Sequence, residues 1–354
     1  GQLGDGSPQQ RNTAAPVTDL VGAVQICGSR DASYARLDTG ELRAWGENFA
    51  GALGDGTVLP SNRARGVVGL NDATDLACGG SSFACAVNDR SQLYCWGYGP
   101  GGRLARGGNS ANSSVPVETV ISSVNQVALG SAHGCAKRLD GRVICWGDNR
   151  YGQLGNGTTT GSGSGVIVNG VSSVAQVTAG GYASCARRTN GRVQCWGQGT
   201  YGQIGNGSSA NRSTAVYVSN LVDAQSIAMS SRHACALTTG GAMRCWGQNG
   251  WRQLGDNTQT NRYSPVNVAD YTDFDAIGID AASSNNTCAL RNQGEARCWG
   301  YGATGALGEG TGRTTGKVLV KALNDAGQEV TLSNLTSISA MGGHSCAIDS
   351  DGLV

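Results

Sequence analysis

Charge is scarce in this chain of 354 residues: Asp, Glu, Lys and Arg make up 14% of it, and the formal net charge is +1. A large phosphate-neutralising surface is not expected, so nucleic acid is not among the expected partners. Lysine is scarcer still. Among 26 basic residues only Lys137, Lys317 and Lys321 are lysines. The others are arginines, whose planar forks suit fixed hydrogen bonds and protein interfaces, although genome base composition gives the same bias. No apolar run approaches the ~18 residues of a membrane span, so no transmembrane segment is expected. Sustained helical periodicity is missing as well. No leader is visible: Gly1 opens inside a repeated motif, which reads as a signal peptide removed or never included.

What the chain does have is glycine, 57 residues of it, against a usual share of about 7%. Short β-branched stretches such as VNQVAL (124–129) and RVICW (142–146) lie between Gly, Asn, Asp and Ser clusters. That is the pattern of an all-β protein with many short strands.

The stretches repeat. Trp-Gly pairs begin at Trp45, Trp96, Trp146, Trp196, Trp246 and Trp299, at intervals of 50 to 53 residues. A G-x-L-G-type element follows at Gly51, Gly102, Gly152, Gly202 and Gly305, with Arg252 in place of glycine in one copy. The chain opens on the same element, and its last residues, GGHSCAIDSDGLV (342–354), start a hairpin that stops before its Trp. A period near 50 means a solenoid or a propeller, and complementary half-units at the two ends favour ring closure over capped ends. The expected fold is one domain over 1–354, a seven-bladed β-propeller whose last blade is shared between the N- and C-terminal segments. In the third unit strands are expected near 124–130, 133–139 and 142–147, with the last around 115–120 or its equivalent.

The run W-G-x-N-x-x-G-Q-L-G, with a D-G turn ahead of it, resembles the regulator of chromosome condensation repeat along essentially the whole chain. The resemblance implies the propeller and leaves activity open, since similar propellers serve as nucleotide-exchange factors, photoreceptors, bacterial inhibitors and surface proteins.

Cys135 and Cys145 stand symmetrically about Asp140. A three-residue loop Leu139-Asp140-Gly141 places them opposite each other and requires glycine after the midpoint. That glycine is present at Gly40, Gly141, Gly191, Gly241, Gly294 and Gly352, and Ser91 is the exception. With Arg138 and Arg142 closing the loop, the cysteines fall at a non-hydrogen-bonded pair, with Cα atoms about 4.5 Å apart, at the short end for a disulfide. The spacing recurs between Cys85 and Cys95, Cys185 and Cys195, Cys235 and Cys245, and Cys288 and Cys298. Zinc knuckles want closer ligands, and reduced, packed cysteines are the plain alternative. Disulfides are the favoured reading, which points to a secreted, periplasmic or cell-surface protein. Cys27 and Cys78 read as two unpaired buried thiols, an inter-blade bridge being the alternative. Cys346 opens a pair whose partner position follows Val354, so the chain is read as cut short or its missing strand as coming from elsewhere.

His133, His233 and His344 share one repeat position, where Phe83 and Asn286 stand in other copies. A repeated structural hydrogen bond is the expected role, and no metal, cofactor or catalytic residue is expected. The string GSGSG (161–165) lacks the strand-turn-helix of a phosphate cradle. Departures from the repeat are more informative: NGWRQLG (249–255) brings in Trp251 and Arg252, and other tails carry Phe49, Tyr98, Arg103, Arg106 and Tyr301. Aromatics and arginines anchor protein interfaces. The competing reading is that they pad gaps between blades, as Tyr151 and Tyr201 suggest. An insertion at VLVKALNDAGQEVTL (318–332) is read as an extra hairpin.

The functional expectation is a secreted or surface-exposed scaffold that binds a protein partner and is not an enzyme. The alternative is a structural subunit of a filament, sheath or adhesin, forming a homo-oligomer through the incomplete seventh blade. A nucleotide-exchange regulator ranks below both, since the paired cysteines point away from the nucleus.

Overall fold

The computed structural model describes residues 1–80, 82–108, 110–279, 285–291, 294–302, 305–310, 315–323, 328–340 and 343–354. Its regular secondary structure is nearly all antiparallel strand, joined by turns and irregular tails; the helical structure described is one 3-10 turn, Phe49–Gly51. Six four-stranded meanders follow one another at 23–66, 73–122, 124–167, 174–217, 224–267 and 274–319. These are blades one to six of a propeller. Blade three has strands Val124–Leu129, His133–Arg138, Val143–Gly147 and Ser162–Ile167. The stretch expected as its last strand is instead the outer strand of blade two, Ser113–Ser122.

The seventh unit corrects the expected blade count. Among the described residues it is a two-stranded sheet, Leu335–Ala340 with Ser345–Asp349, so the propeller has six complete blades and not seven. The N-terminal segment adds contacts there in place of strands. Val17 N–H donates to the Val354 carbonyl at 2.7 Å and Ala23 N–H to that of Gly352 at 3.0 Å. Ala14 forms a single parallel bridge with Ala322. The insertion does form a hairpin, Lys321–Leu323 with Glu329–Thr331.

The turns explain the cysteine spacing. Arg138 N–H donates to the Arg142 carbonyl at 2.8 Å, and Gly141 takes φ +76°, a left-handed conformation that costs glycine little. The equivalent glycines have φ between +74° and +86°, and Ser91 adopts +61° without glycine's freedom. The two middle strands of a blade then pair in register. Cys85 lies opposite Cys95, Cys135 opposite Cys145, Cys185 opposite Cys195, Cys235 opposite Cys245 and Cys288 opposite Cys298. All five expected pairs are disulfides. Their Cα atoms are 4.0–4.1 Å apart, closer than the 4.5 Å expected of an unbridged pair.

A sixth bridge, Cys27–Cys78, overturns the reading of two unpaired thiols. These cysteines hold the same place in the inner strands of blades one and two, which pack side by side and bring the Cα atoms to 5.8 Å. Cys346 lies outside the six bridges.

The core is a series of wedges between neighbouring blades. Each Trp of a Trp-Gly pair is fully buried. Its indole N–H donates to a carbonyl in the preceding tail at 2.8–2.9 Å, from Trp45 to Gln2 through Trp299 to Gln253. The last glycine of the tail makes room for that ring: a Cβ on Gly54 would lie 2.7 Å from the indole nitrogen of Trp96.

Candidate interaction surface

In a four-stranded meander the first-to-second and third-to-fourth connections leave from one end of the sheet, and the central hairpin turn from the other. The tails after each Trp-Gly therefore share one face of the propeller, the loop face. Asn48, Asn149 and Asn249 hold them from within. Each accepts the N–H of a buried leucine through Oδ1 at 2.8–3.0 Å, while Nδ2 donates to the threonine carbonyl nine residues on at 3.1–3.2 Å. The tails are preformed platforms.

On this face the expected anchors fall into two clusters. At the junction of blades one and two, Phe49 and Tyr98 pack with ring centroids 5.7 Å apart, and the Arg103 guanidinium lies 5.1 Å from the Tyr98 centroid. At the junction of blades five and six, Trp251 meets Tyr301 edge-on at 5.0 Å. Phe49 is 59% exposed and Trp251 42%, so these rings bridge neighbouring blades and still offer surface to solvent. Arg106 belongs to neither cluster; its Nη1 reaches the Ala111 carbonyl at 3.5 Å.

The bridged cysteines take no part in this surface. Cys85 and Cys95, Cys135 and Cys145, Cys185 and Cys195, Cys235 and Cys245, and Cys288 and Cys298 are all buried within the wedges between blades. Their role is to staple the strands that carry the tails.

Arg252 is one of twelve non-glycine residues with positive φ among the described residues. It has φ +62°, at the position where five other tails have glycine. In four of those tails a Cβ would strike the outer strand of the next blade: at Gly152 it would lie 2.5 Å from Ser213 Cα, and at Gly202 2.7 Å from the Arg262 carbonyl; at Gly305 it would strike Arg11 and Asn12 of the N-terminal segment. Gly247 pairs with Arg262 and Gly300 with Thr315, so by register the counterpart of Tyr263 in blade six is Gly316. A glycine there does not by itself make room: opposite Gly102 the same position is Gly163, and a Cβ on Gly102 would lie 2.8 Å from its Cα. The left-handed backbone remains costly for arginine, by about 1–2 kcal/mol. The neighbouring Trp251 and Arg252 are both exposed.

The RCC1-like domain profile matches residues 1–347. The chain belongs to the RCC1-like domain family. A stretch of 107 residues, 29% of the chain, is 34% identical to the E3 ubiquitin-protein ligase HERC2 of Homo sapiens, of whose length it spans 2%. Yeast RCC1 (Prp20), solved bound to Kap60, matches with a TM-score of 0.75 at 19% identity, over 92% of this chain and 79% of that one. Prp20p of Saccharomyces cerevisiae, described with its binding to Gsp1p and histones, gives 0.74 at 20%, over 92% and 82%. Human WBSCR16 gives 0.64 at 23%, over 72% and 69%. These structures share the fold.

This RCC1-like domain has further loop-face contacts that were not singled out from the sequence. Tyr182 packs on Tyr151 at 5.3 Å, and Arg232 lies 4.9 Å over Tyr201. Both come from first-to-second loops, where the repeat prescribes no residue type, so only the fold brings them beside the tails. The histidines lie at separate seams between blades. His133 Nε2 is 2.8 Å from Ser184 Oγ, His233 Nε2 2.9 Å from Thr287 Oγ1, and His344 Nε2 2.8 Å from Ser33 Oγ. Burial pushes their pKa values down to about 4, 3 and 4 respectively. Among the described residues no group of three or more His, Cys, Asp or Glu is placed to hold a metal ion. No helix among them is long and apolar enough to cross a membrane.

Proposed function

We propose that this RCC1-like domain is a non-enzymatic scaffold, secreted, periplasmic or at a cell surface, that binds a protein partner through its loop face. The observation that carries the reading is Arg252. A strained residue stands where the repeat position otherwise takes glycine, beside an exposed tryptophan; such strain clusters at functional sites. Six disulfides support an oxidising compartment. In the test, a photo-crosslinking amino acid replaces Trp251 in the producing cells, with Asn71 as the control position. A discrete adduct from position 251 that Arg252→Gly abolishes supports the reading, and equal labelling from both positions overturns it. Arg252→Gly is also expected to raise stability by about 1 kcal/mol, read from urea unfolding, because it relieves the backbone.

A second reading, a structural subunit, is favoured by the strand Ser345–Asp349. Among the described residues it is paired on one side only, beside a cavity of about 850 Å³ lined by Ala306, Leu307, Gly308, Ile338 and Ala347. Strands at a sheet edge can accept a strand from a neighbour. Concentration-dependent assembly in sedimentation would favour this reading over the monomeric scaffold.

A further inference from the structure

Charge is unevenly spread around the ring. Residues 151–255 carry seven arginines against one acid, Asp223, whereas the remaining chain has nineteen basic residues against twenty-four acidic ones. None of the seven takes part in an ion pair among the described residues. The repeat supplies an internal control for what this means on the hairpin face, opposite the loop face.

In blade three the central hairpin carries Arg138, Asp140 and Arg142. Asp140 ion-pairs with both guanidinium groups: Arg142 donates through Nη2 at 2.8 Å, and Arg138 Nε lies 3.4 Å away, without a hydrogen bond among the described residues. The hydrogen bond from Arg142 keeps the Asp140 carboxyl below the usual carboxylate range. In blade four the same positions are Arg188, Asn190 and Arg192, so both arginines are kept and the carboxylate is replaced by an amide. The two guanidinium groups are nevertheless fixed in place. Arg188 Nη1 donates to the Tyr217 hydroxyl at 2.9 Å, and the Arg192 guanidinium stacks 4.1 Å from the centroid of the same ring. Tyr217 and Arg192 are exposed and Arg188 is half-buried.

We propose that Arg188 and Arg192, organised by Tyr217, form a docking site for a carboxylate on an acidic segment of a partner polypeptide, taking the role that Asp140 plays within blade three. Guanidinium forks recognise carboxylates bidentately, and a preset pair loses little entropy on binding. Nucleic acid fits less well. Affinity for it comes from neutralising many phosphates at once, whereas this hairpin offers two fixed cations on a chain of net charge +1. This site is separate from the loop face, so the two proposals stand or fall independently.

The test is fluorescence polarisation of a fluorescein-labelled peptide of alternating glutamate and glycine, titrated with the whole chain at 150 mM salt. Asn190→Asp copies blade three, so it should leave the fold unchanged; it is expected to weaken binding about tenfold by supplying the carboxylate internally. Arg188→Lys with Arg192→Lys keeps the charge and is expected to weaken binding severalfold, through loss of the forks. Trp251→Ala should leave this binding unchanged. No binding by the unmodified chain, or binding indifferent to Asn190→Asp, would overturn the proposal. Tighter binding of a duplex oligonucleotide, or self-association that the peptide does not compete with, would overturn it as well.

Discussion

Gly141 and Gly147 stand six residues apart on one hairpin, both with positive φ, yet they are glycine for different reasons. At Gly141 a Cβ would have 3.5 Å to its nearest neighbour, so only the backbone conformation demands glycine. At Gly147, φ +96°, a Cβ would lie 2.6 Å from the Ala132 carbonyl and 2.8 Å from His133 Cα. Gly141→Ala is expected to cost about 1 kcal/mol and Gly147→Ala clearly more, roughly 2–3 kcal/mol, in urea unfolding. Ser91→Gly should gain about 0.5–1 kcal/mol, since it takes a serine out of the left-handed region. Equal costs at positions 141 and 147 would show that the Ala132 backbone yields. Gly141 was legible in the sequence because cysteine symmetry located the turn. The crowding at Gly147 was not, because it depends on how the paired strand's carbonyl is aimed.

Disulfides act at the scale of the element, and they show where sequence reasoning stops. The five within-blade bridges were legible because both partners lie on one hairpin, where register follows from the turn. Cys27–Cys78 joins two blades, and its partners share no turn; only the packing of inner strands brings them together. The cost of removing each should follow loop length on the chain-entropy model. Replacing Cys135 and Cys145 by alanine opens an 11-residue loop and is expected to cost roughly 3 kcal/mol, and replacing Cys27 and Cys78 opens a longer one at roughly 4 kcal/mol. Intact mass after alkylation of the native, non-reduced protein checks the premise. No more than one of the thirteen cysteines should be labelled. Thirteen labelled thiols would remove the argument for an oxidising compartment.

At the scale of the whole molecule the repeat gave a ring, and its period predicted the blade architecture. It could not show that the seventh unit is, among the described residues, a two-stranded sheet, because a repeat count says nothing about which strands pair. The seams between blades were legible only in part: the shared histidine position was visible, but not its hydroxyl partners, which lie on the neighbouring blade. Those seams have a consequence for pH. The three imidazoles are neutral and buried in the folded protein, with pKa values of about 4, 3 and 4, against about 6.5 in the unfolded chain. Between pH 6.5 and 4 the unfolded chain binds protons that the folded one does not. Stability is thus fully present above pH 6.5 and falls as the pH drops, by about 1.4 kcal/mol per pH unit for each histidine. Among the described residues His133 Nδ1 is buried without a hydrogen-bond partner, so a proton there would add an unsatisfied donor. Asp75 works in the opposite direction, since burial raises its carboxyl pKa, and a comparison between variants cancels its contribution. Asn286 occupies the same slot in blade six, which makes His133→Asn with His233→Asn the substitution that the repeat itself offers. Unfolding free energies measured from pH 6.5 to 4.5 should fall less steeply in that double variant than in the unmodified protein. Parallel curves would mean that the seam histidines take up their protons without opening the ring.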